Sequence, residues 1–228
     1  DWIAQFERLQ DQTRALPFDT LRPVVEQALG KPLERVFASV DETPLGVASI
    51  GQVHAARTRR GERVVIKVRK PGIEATIQSD LRLLDHLAKL ASDNSEELRR
   101  YRPVELVREF HRSLSRELDF TIEARNAERI RQNLRGFRWL TVPRVNRALS
   151  SETLQVQQHI QGIPARALDQ RDAAGLDRPL IARRGATAAW KMALEDGFFH
   201  ADPHPGNFLI QPGNRIAMLD FGMVGKLS

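Results

Sequence analysis

Two short motifs near the end of this chain restrict what it can fold into more than any other feature. The segment HADPHPGN at 200–207 places Asp202 and Asn207 five residues apart, and the triplet Asp220-Phe221-Gly222 begins thirteen residues after Asn207. That interval is long enough for a strand, a turn and a second strand, so the three polar groups are expected to converge on one cleft. Phosphoryl transfer needs a carboxylate near the attacking hydroxyl, and oxygen ligands that hold Mg²⁺ against the phosphates. Asp202, Asn207 and Asp220 are the residue types for those tasks. Each such residue occurs at roughly one position in fifteen to twenty by ordinary composition, which makes the whole pattern improbable by chance.

The same stretch admits a rival reading as a metal hydrolase. His200, Asp202 and His204 alternate, and imidazole with carboxylate suits Zn²⁺ or iron. Alternating residues share a face only in a strand, however, and Pro203 and Pro205 argue against a hydrogen-bonded strand. The other four histidines (His54, His86, His111 and His159) form no HxH or HxxxH pair that would complete such a site. The Asp202/Asn207 spacing followed by DFG matches instead the catalytic loop and metal-binding triplet of protein kinases.

Composition narrows the possibilities further. The 228 residues contain no cysteine, which excludes disulfides, zinc–thiolate sites and thiol nucleophiles. No apolar run approaches the length of a membrane span, and no signal peptide is expected at the N-terminus. The net charge is +6. Basic clusters at Arg57, Arg59, Arg60 and Arg63, and at Arg99, Arg100 and Arg102, could attract anionic lipid or nucleic acid, but read rather as solvated turns and helix faces. With a single tyrosine and no aromatics interleaved among the arginines, no nucleic acid is expected as a partner.

Periodicity predicts helices over residues 2–15 and from Asp19, as N-cap, to Gly30, as C-terminal stop. Strands follow at Val36–Val40, Gly51–Ala56 and Glu62–Arg69, the last with Val64, Ile66 and Val68 on one face and Val65 and Lys67 on the other. Pro71-Gly72 opens a long helix, and Pro103 opens a second whose stripe runs Val107, Phe110, Leu114, Leu118, Ile122. Further strands are expected near Leu140–Val145 and Glu152–Ile160. Gly162-Ile163-Pro164 reads as a hinge, followed by a helix over Ile181–Glu195. A hairpin of Phe208–Gln211 and Ile216–Leu219 is turned by Pro212-Gly213-Asn214. The expected class is α+β: a small lobe with an antiparallel sheet and long helices, then the beginning of a helical large lobe. The expected boundaries are 1–35 for an N-terminal helical extension, 36–161 for the small lobe with a helical insertion, and 162–228 for the start of the large lobe.

A lone lysine on an apolar strand is costly unless its charge meets an anion. Lys67, in the run VVIK, is therefore the candidate for contacting nucleotide phosphates, with a helix carboxylate as its partner. Glu117, Asp119 and Glu123 all stand within seven residues, and Glu123, flanked by Ile122 and Ala124, is favoured. Upstream, GVASIGQV at 46–53 reads GxAxxGxV against the glycine-rich loop GxGxxGxV. Gly46, Gly51 and Val53 match it, and Ala48 replaces the middle glycine.

Together, PLGVASIGQVHAA (44–56), VVIKVRKPGI (65–73), ELDFTIEARN (117–126), FFHADPHPGN (198–207) and LDFGMVG (219–225) resemble the UbiB/ABC1/ADCK atypical kinase family over nearly the whole chain. The resemblance implies a protein-kinase-like fold that binds ATP with Mg²⁺ or Mn²⁺ and an association with ubiquinone biosynthesis and isoprenoid-lipid homeostasis. By position it implies Lys67 as the phosphate-contacting lysine, Glu123 as its helix partner, and Glu117 and Asp119 as the family's ExD motif. Asp202 becomes the catalytic-loop aspartate, with Asn207 and Asp220 as metal ligands. Gly46, Val47, Ala48 and Ser49 occupy the family's alanine-rich loop, here only partly alanine, with Val53 beside the nucleotide. The implied partners are ATP, and membrane lipid or quinone-biosynthesis proteins; the implied location is the cytoplasm or the periphery of the inner membrane. The family's KxGQ motif is absent, and the chain reads as a fragment lacking most of the large lobe, which would leave apolar surface exposed. A scaffold that senses ATP or ADP without transferring phosphate is the second function class compatible with these residues.

Overall fold

The computed structural model describes residues 14–167 and 175–227. The pattern expected to form a helix over residues 2–15 falls, apart from its last two positions, outside the described residues. The first described helix, α1 (Phe18–Leu29), ends at Gly30, whose φ of 66° is the left-handed conformation of a helix stop. Asp19 does not cap it: Pro17 holds the N-cap position, and Asp19 lies inside the first turn, where its charge complements the helix dipole.

Three antiparallel strands follow, β1 (Phe37–Val47), β2 (Gly51–Thr58) and β3 (Arg63–Arg69), so β1 continues well past Val40. A later strand, β5 (Leu154–Gln158), completes a sheet of order β1-β2-β3-β5. The alternation in β3 decides what each face does. Val64, Ile66 and Val68 are buried against Phe18, Leu21 and Val25 of α1. Lys67 points to the opposite face, between Val53 of β2 and Gln155 of β5.

Between β3 and β5 lie four helices: α2 (Ile73–Asn94), α3 (Glu96–Arg99), α4 (Pro103–Glu117) and α5 (Phe120–Asn133). The single apolar stripe read through Leu118 and Ile122 is thus divided between two helices. Asp119 is extended (φ −104°, ψ 96°), and its carboxylate accepts the Thr121 amide at 2.8 Å, an N-cap that restarts the chain as α5. Long-range bonds hold the break. Arg69 donates to the Leu118 carbonyl at 2.9 Å, and the Phe120 amide donates to the Glu152 carbonyl at 3.2 Å.

A second sheet, of order β4-β9-β8-β6, is built from β4 (Leu140–Thr141), β6 (Ile163–Pro164), β8 (Phe208–Gln211) and β9 (Arg215–Met218). Only two residues of the strand expected at Leu140–Val145 pair in it, because Pro143 has no amide to donate. The expected hinge at Gly162–Pro164 is packed in β6 against β8, where a Cβ on Gly162 would lie 2.8 Å from the Leu209 Cβ. The β8–β9 turn carries Gly213 and Asn214 at φ 74° and 59°, residue types suited to that conformation. Helix α6 (Arg178–Trp190) is capped by Asp177 and runs into a π-helical turn, Lys191–Glu195. β7 (Phe198–His200) then pairs with β10 (Val224–Lys226). Phe221 is fully buried with Phe198, Met192, Met218, Ala127 and Ile130, so the DFG phenylalanine joins α5 to the second half of the chain. Several large apolar side chains stay exposed, Trp190 and Leu194 at 66% and 65% among them.

Two glycines of the β1–β2 region are expected to respond differently to a methyl group. A Cβ on Gly51 would lie 2.8 Å from the Val68 carbonyl oxygen, a backbone atom, whereas one on Gly46 meets nothing within 4 Å. Gly51→Ala is expected to cost about 1–3 kcal/mol through strain in the β2–β3 ladder. Gly46→Ala is expected to stay within about 0.5 kcal/mol of the parent. Urea denaturation of both variants checks this, and equal midpoints would refute it.

Candidate functional site

Lys67 anchors the site. Its ammonium lies 2.7 Å from Glu123 Oε2 and 3.3 Å from Asp220 Oδ2, and it sits 5.1 Å from the centre of the Phe120 ring. The lysine side chain is 13% exposed and that of Glu123 6%. Burial opposes the lysine's charge, but Glu123 and Asp220 outweigh it and hold Lys67 charged beyond the ordinary lysine range. Asp220, likewise opposed by burial, is lowered by Lys67 and by the Gly222 amide that donates to its Oδ1 at 2.8 Å. Glu123 is pushed up by burial despite the pull of Lys67. The two partners of one ion pair thus shift in the same direction. The physical content is that the lysine keeps its proton, and that Glu123, deeply buried and near a second carboxylate, gives up its charge more readily than Asp220.

The carboxylate identities follow from the helix break. Glu123 lies in the first turn of α5 and reaches the back of the sheet. Glu117, at the end of α4, lines the same cavity, and its pKa is raised by burial and by Asp220. Asp119 is turned away into its capping role and lies 3.9 Å from Arg125.

The catalytic-loop candidates are locked to one another. Asn207 Nδ2 donates to Asp202 Oδ2 at 3.0 Å and to the Asp202 carbonyl at 3.2 Å, leaving Asn207 Oδ1 as its free ligand atom. The Leu219 amide donates to the Asn207 carbonyl at 2.9 Å, which ties the loop to the DFG segment, and Asn126 of α5 donates to the Phe221 carbonyl at 2.9 Å.

A cavity of about 180 Å³ is lined by Lys67, Glu117, Glu123, Asp202, Asn207 and Asp220, with Ala48, Ser49 and Ile50 at the β1–β2 turn. Gly46, Val47 and Val53 do not line it; they sit in the β1–β2 ladder, where Gly46 pairs with Val53. The Ala48 amide is itself engaged by the Gly51 carbonyl at 2.8 Å.

The rival histidine site does not form. His200 Nδ1 accepts the Asp202 amide and His204 Nδ1 the Gly206 amide, while the His200 ring packs 5.8 Å from both Phe208 and Phe221. Burial lowers the His200 pKa, keeping the ring neutral at pH 7. Among the described residues no cluster of three or more histidines and carboxylates could hold a metal by itself. What the cavity offers is a set of oxygen donors, the carboxylates of Asp220 and Asp202 and the amide oxygen of Asn207. Such a set fits a hard cation that takes its remaining ligands from phosphate and water.

Three contributors escaped the sequence reading. Arg116 and Met223 line the cavity. Gln155 is fully buried and directs its amide at Glu123 Oε1 (3.4 Å) and Gln157 Oε1 (3.1 Å). The visible signal for the last was the alternation of Leu154 and Val156 with Gln155 and Gln157, which puts both glutamines on the side that Lys67 faces.

Known proteins resemble this chain over nearly its whole length. The ABC1 atypical kinase-like domain matches residues 8–228. A probable protein kinase UbiB of Aliivibrio fischeri (strain MJ11) is 39% identical over 98% of this chain and 42% of its own length. An uncharacterized protein of Synechocystis, sll1770, is 35% identical over 100% of this chain and 39% of its own. The chain therefore spans about two-fifths of the length of these relatives. A solved Mycobacterium tuberculosis structure, described as a complex of Rv3197 with erythromycin, superposes with a TM-score of 0.76. It is 27% identical and matched over 95% of this chain and 54% of that one. With its α+β architecture and this match over nearly its full length, the chain has a kinase-like fold and belongs to the ABC1 atypical kinase-like family, that of the UbiB proteins.

Proposed function

We propose that this chain is the nucleotide-binding core of an ATP-dependent phosphotransferase or ATPase of the UbiB/ABC1 type, acting in support of ubiquinone or isoprenoid-lipid metabolism. The observation that carries the reading is the convergence of the Lys67–Glu123 pair, Asp202, Asn207 and Asp220 on one cavity. The metabolic setting rests on family membership.

In this reading Lys67, held by Glu123, contacts the α- and β-phosphates of ATP, with Arg116 and Ser49 at the mouth of the cavity. Asp220 and the amide oxygen of Asn207 would hold Mg²⁺ or Mn²⁺, which would supply charge neutralisation on the phosphate oxygens. Asp202, oriented by the Asn207 amide, accepts the proton of the attacking hydroxyl or water as its oxygen bonds to the γ-phosphorus and the bond to ADP breaks. Phe221 stays in the core, which keeps Asp220 turned into the cavity.

Two aspartate variants separate these roles. Asp220→Asn is expected to abolish Mg²⁺-dependent ATP binding while leaving the fold near intact, because an amide is a much weaker ligand than a carboxylate for a hard cation. Asp202→Asn is expected to spare ATP affinity and lower turnover by about 10²–10⁴-fold, the usual range for a lost general base. Calorimetric titration with ATP and Mg²⁺, paired with a phosphate-release assay, distinguishes them. Equal loss of affinity in both would make Asp202 a metal ligand as well. Metal-dependent ATP binding by the unsubstituted protein without any turnover would assign it to the nucleotide-sensing scaffolds.

The pKa shifts also set a pH dependence. Lys67 is raised, so its contribution is complete below its ordinary value of 10.5 and is lost as pH rises through the folded value. Asp220 is lowered, so its contribution is complete above 3.8 and is lost as pH falls through the folded value. Replacing the lysine leaves buried carboxylates without a cation, whereas replacing Glu123 leaves Asp220 as the counter-ion. Lys67→Met is therefore expected to cost about 3 kcal/mol at pH 7, and Glu123→Gln about 1 kcal/mol. The Lys67→Met deficit is expected to shrink on acidification, as Glu123, already raised, takes up a proton. Urea denaturation at pH 5 and pH 8 measures both effects; a pH-independent Lys67→Met deficit would count against this charge assignment.

A further inference from the structure

A second cavity, of about 330 Å³, lies outside the catalytic one and is lined by five arginines: Arg131, Arg135, Arg138, Arg144 and Arg215. Among the described residues no carboxylate lines it. Arg131 is paired with Glu128 at 2.7 Å. Among the described residues none of the other four makes an ion pair, and Arg215 donates to the Thr141 hydroxyl at 3.1 Å. The carbonyl end of α5 accounts for part of the charge at Arg131 and Arg135. It does not account for the rest. Arg138 and Arg144 come from the segment flanking β4, and Arg215 opens β9, so separate stretches of chain bring like charges to one concavity without neutralising them.

The walls are fixed by packing. Leu134 and Val142 are buried beneath the arginines, and Phe137 stacks on Trp139 at 4.8 Å. β4 is hydrogen-bonded to β9, which ties Leu140 and Thr141 to the strand opened by Arg215. Gln158, at the end of β5, and Thr141 add neutral polar groups to the same lining. Guanidinium groups recognise phosphate through paired N–H donors, and an apolar floor strengthens such contacts by excluding water. The cavity has the size of a small-ligand site rather than of a single water or ion.

We propose that this arginine-lined cavity binds a multiply charged phosphate group, a diphosphate or phosphate ester, independently of the catalytic cavity. The ligand is either a soluble phosphate compound or the phosphomonoester headgroup of an anionic phospholipid, since both present a multiply charged phosphate to the arginines.

The test is carried out on the whole protein and on the Arg138→Gln, Arg144→Gln and double variants. One arm is calorimetric titration with inorganic pyrophosphate in EDTA, where the carboxylates of the metal-free catalytic cavity repel the anion. The other is co-sedimentation with vesicles containing phosphatidic acid, whose headgroup is a phosphomonoester, against neutral phosphatidylcholine vesicles. Each substitution is expected to weaken binding about tenfold, the usual loss for one charge-assisted contact. The ligand-free melting temperature is expected to be unchanged or slightly higher, because like-charge repulsion is relieved. Arginine-dependent pyrophosphate binding assigns the site to soluble phosphates. Arginine-dependent binding to the anionic vesicles alone assigns it to the headgroup. If neither ligand's binding responds to the substitutions, or if the variants bind less only because they have lost stability, the proposal is overturned.

Discussion

The buried cation at Lys67 is the constraint around which the cavity is arranged. An ammonium on an inward-facing strand position costs several kcal/mol unless opposite charge lies within contact distance. Here two carboxylates meet it, one from α5 and one from the DFG segment, at 2.7 and 3.3 Å. Three parts of the chain separated by 56 and 153 residues are thereby pinned to one point. The opposite face of the same strand supplies the complementary constraint, because Val64, Ile66 and Val68 are buried against α1. One alternating strand thus joins the apolar core to the charged cavity, and a slip of a single residue would exchange the two faces.

Around that point the polar groups are held by bonds that leave several of their oxygen atoms free. Asn207 spends its amide hydrogens on Asp202, which leaves oxygen atoms on both residues facing the cavity. Asn126 fixes the Phe221 carbonyl, and Phe221 fills a core shared with α5, so the orientation of Asp220 follows from packing as well as from charge. Gln155 extends the arrangement into β5 by contacting the Glu123 oxygen that Lys67 does not use. These supports are backbone and amide contacts from rigid elements, the kind that hold catalytic groups closely in place. The positive charge of the chain is distributed with comparable economy of position. Carboxylates dominate the cavity around Lys67, while arginines accumulate in a separate concavity at the β4–β9 edge of the second sheet.

Most of the strands and helices were legible as local patterns. The alternation in β3, the glycine stop at Gly30 and the Pro-Gly-Asn turn between β8 and β9 depend on φ preferences and side-chain periodicity that a short window contains. The misread elements have tertiary causes. Val107 to Ile122 keeps a helical stripe, yet the helix stops at Glu117 because Asp119 caps a new one and because Arg69 and Glu152 bond to the interrupted backbone. The strand after Leu140 was read too long because its hydrophobic pattern continues through Pro143, whose missing donor ends the pairing. In the β1–β2 region the match to a phosphate-binding loop identified the turn, but strand pairing keeps Gly46, Val47 and Val53 out of the cavity lining.

The sequence alone determined the chemistry available to this protein. It supplied oxygen donors spaced as in a catalytic loop and DFG triplet, one lysine on an apolar strand, and no thiol or completed histidine site. These are properties of residue type and short spacing, and they point to phosphates and a hard cation. The tertiary structure decided which groups meet. Glu117, Asp119 and Glu123 lie within seven residues, and nothing local fixes which of them faces Lys67. The break at Asp119 rotates Glu123 toward the sheet, leaves Glu117 at the cavity wall and sends Asp119 to its own helix terminus. The same holds for the arginine-lined cavity, whose charges look like ordinary solvated residues in the chain and gain meaning only as a group. Both outcomes depend on bonds between distant segments, and the energy of those bonds is set by burial that no short window of sequence contains.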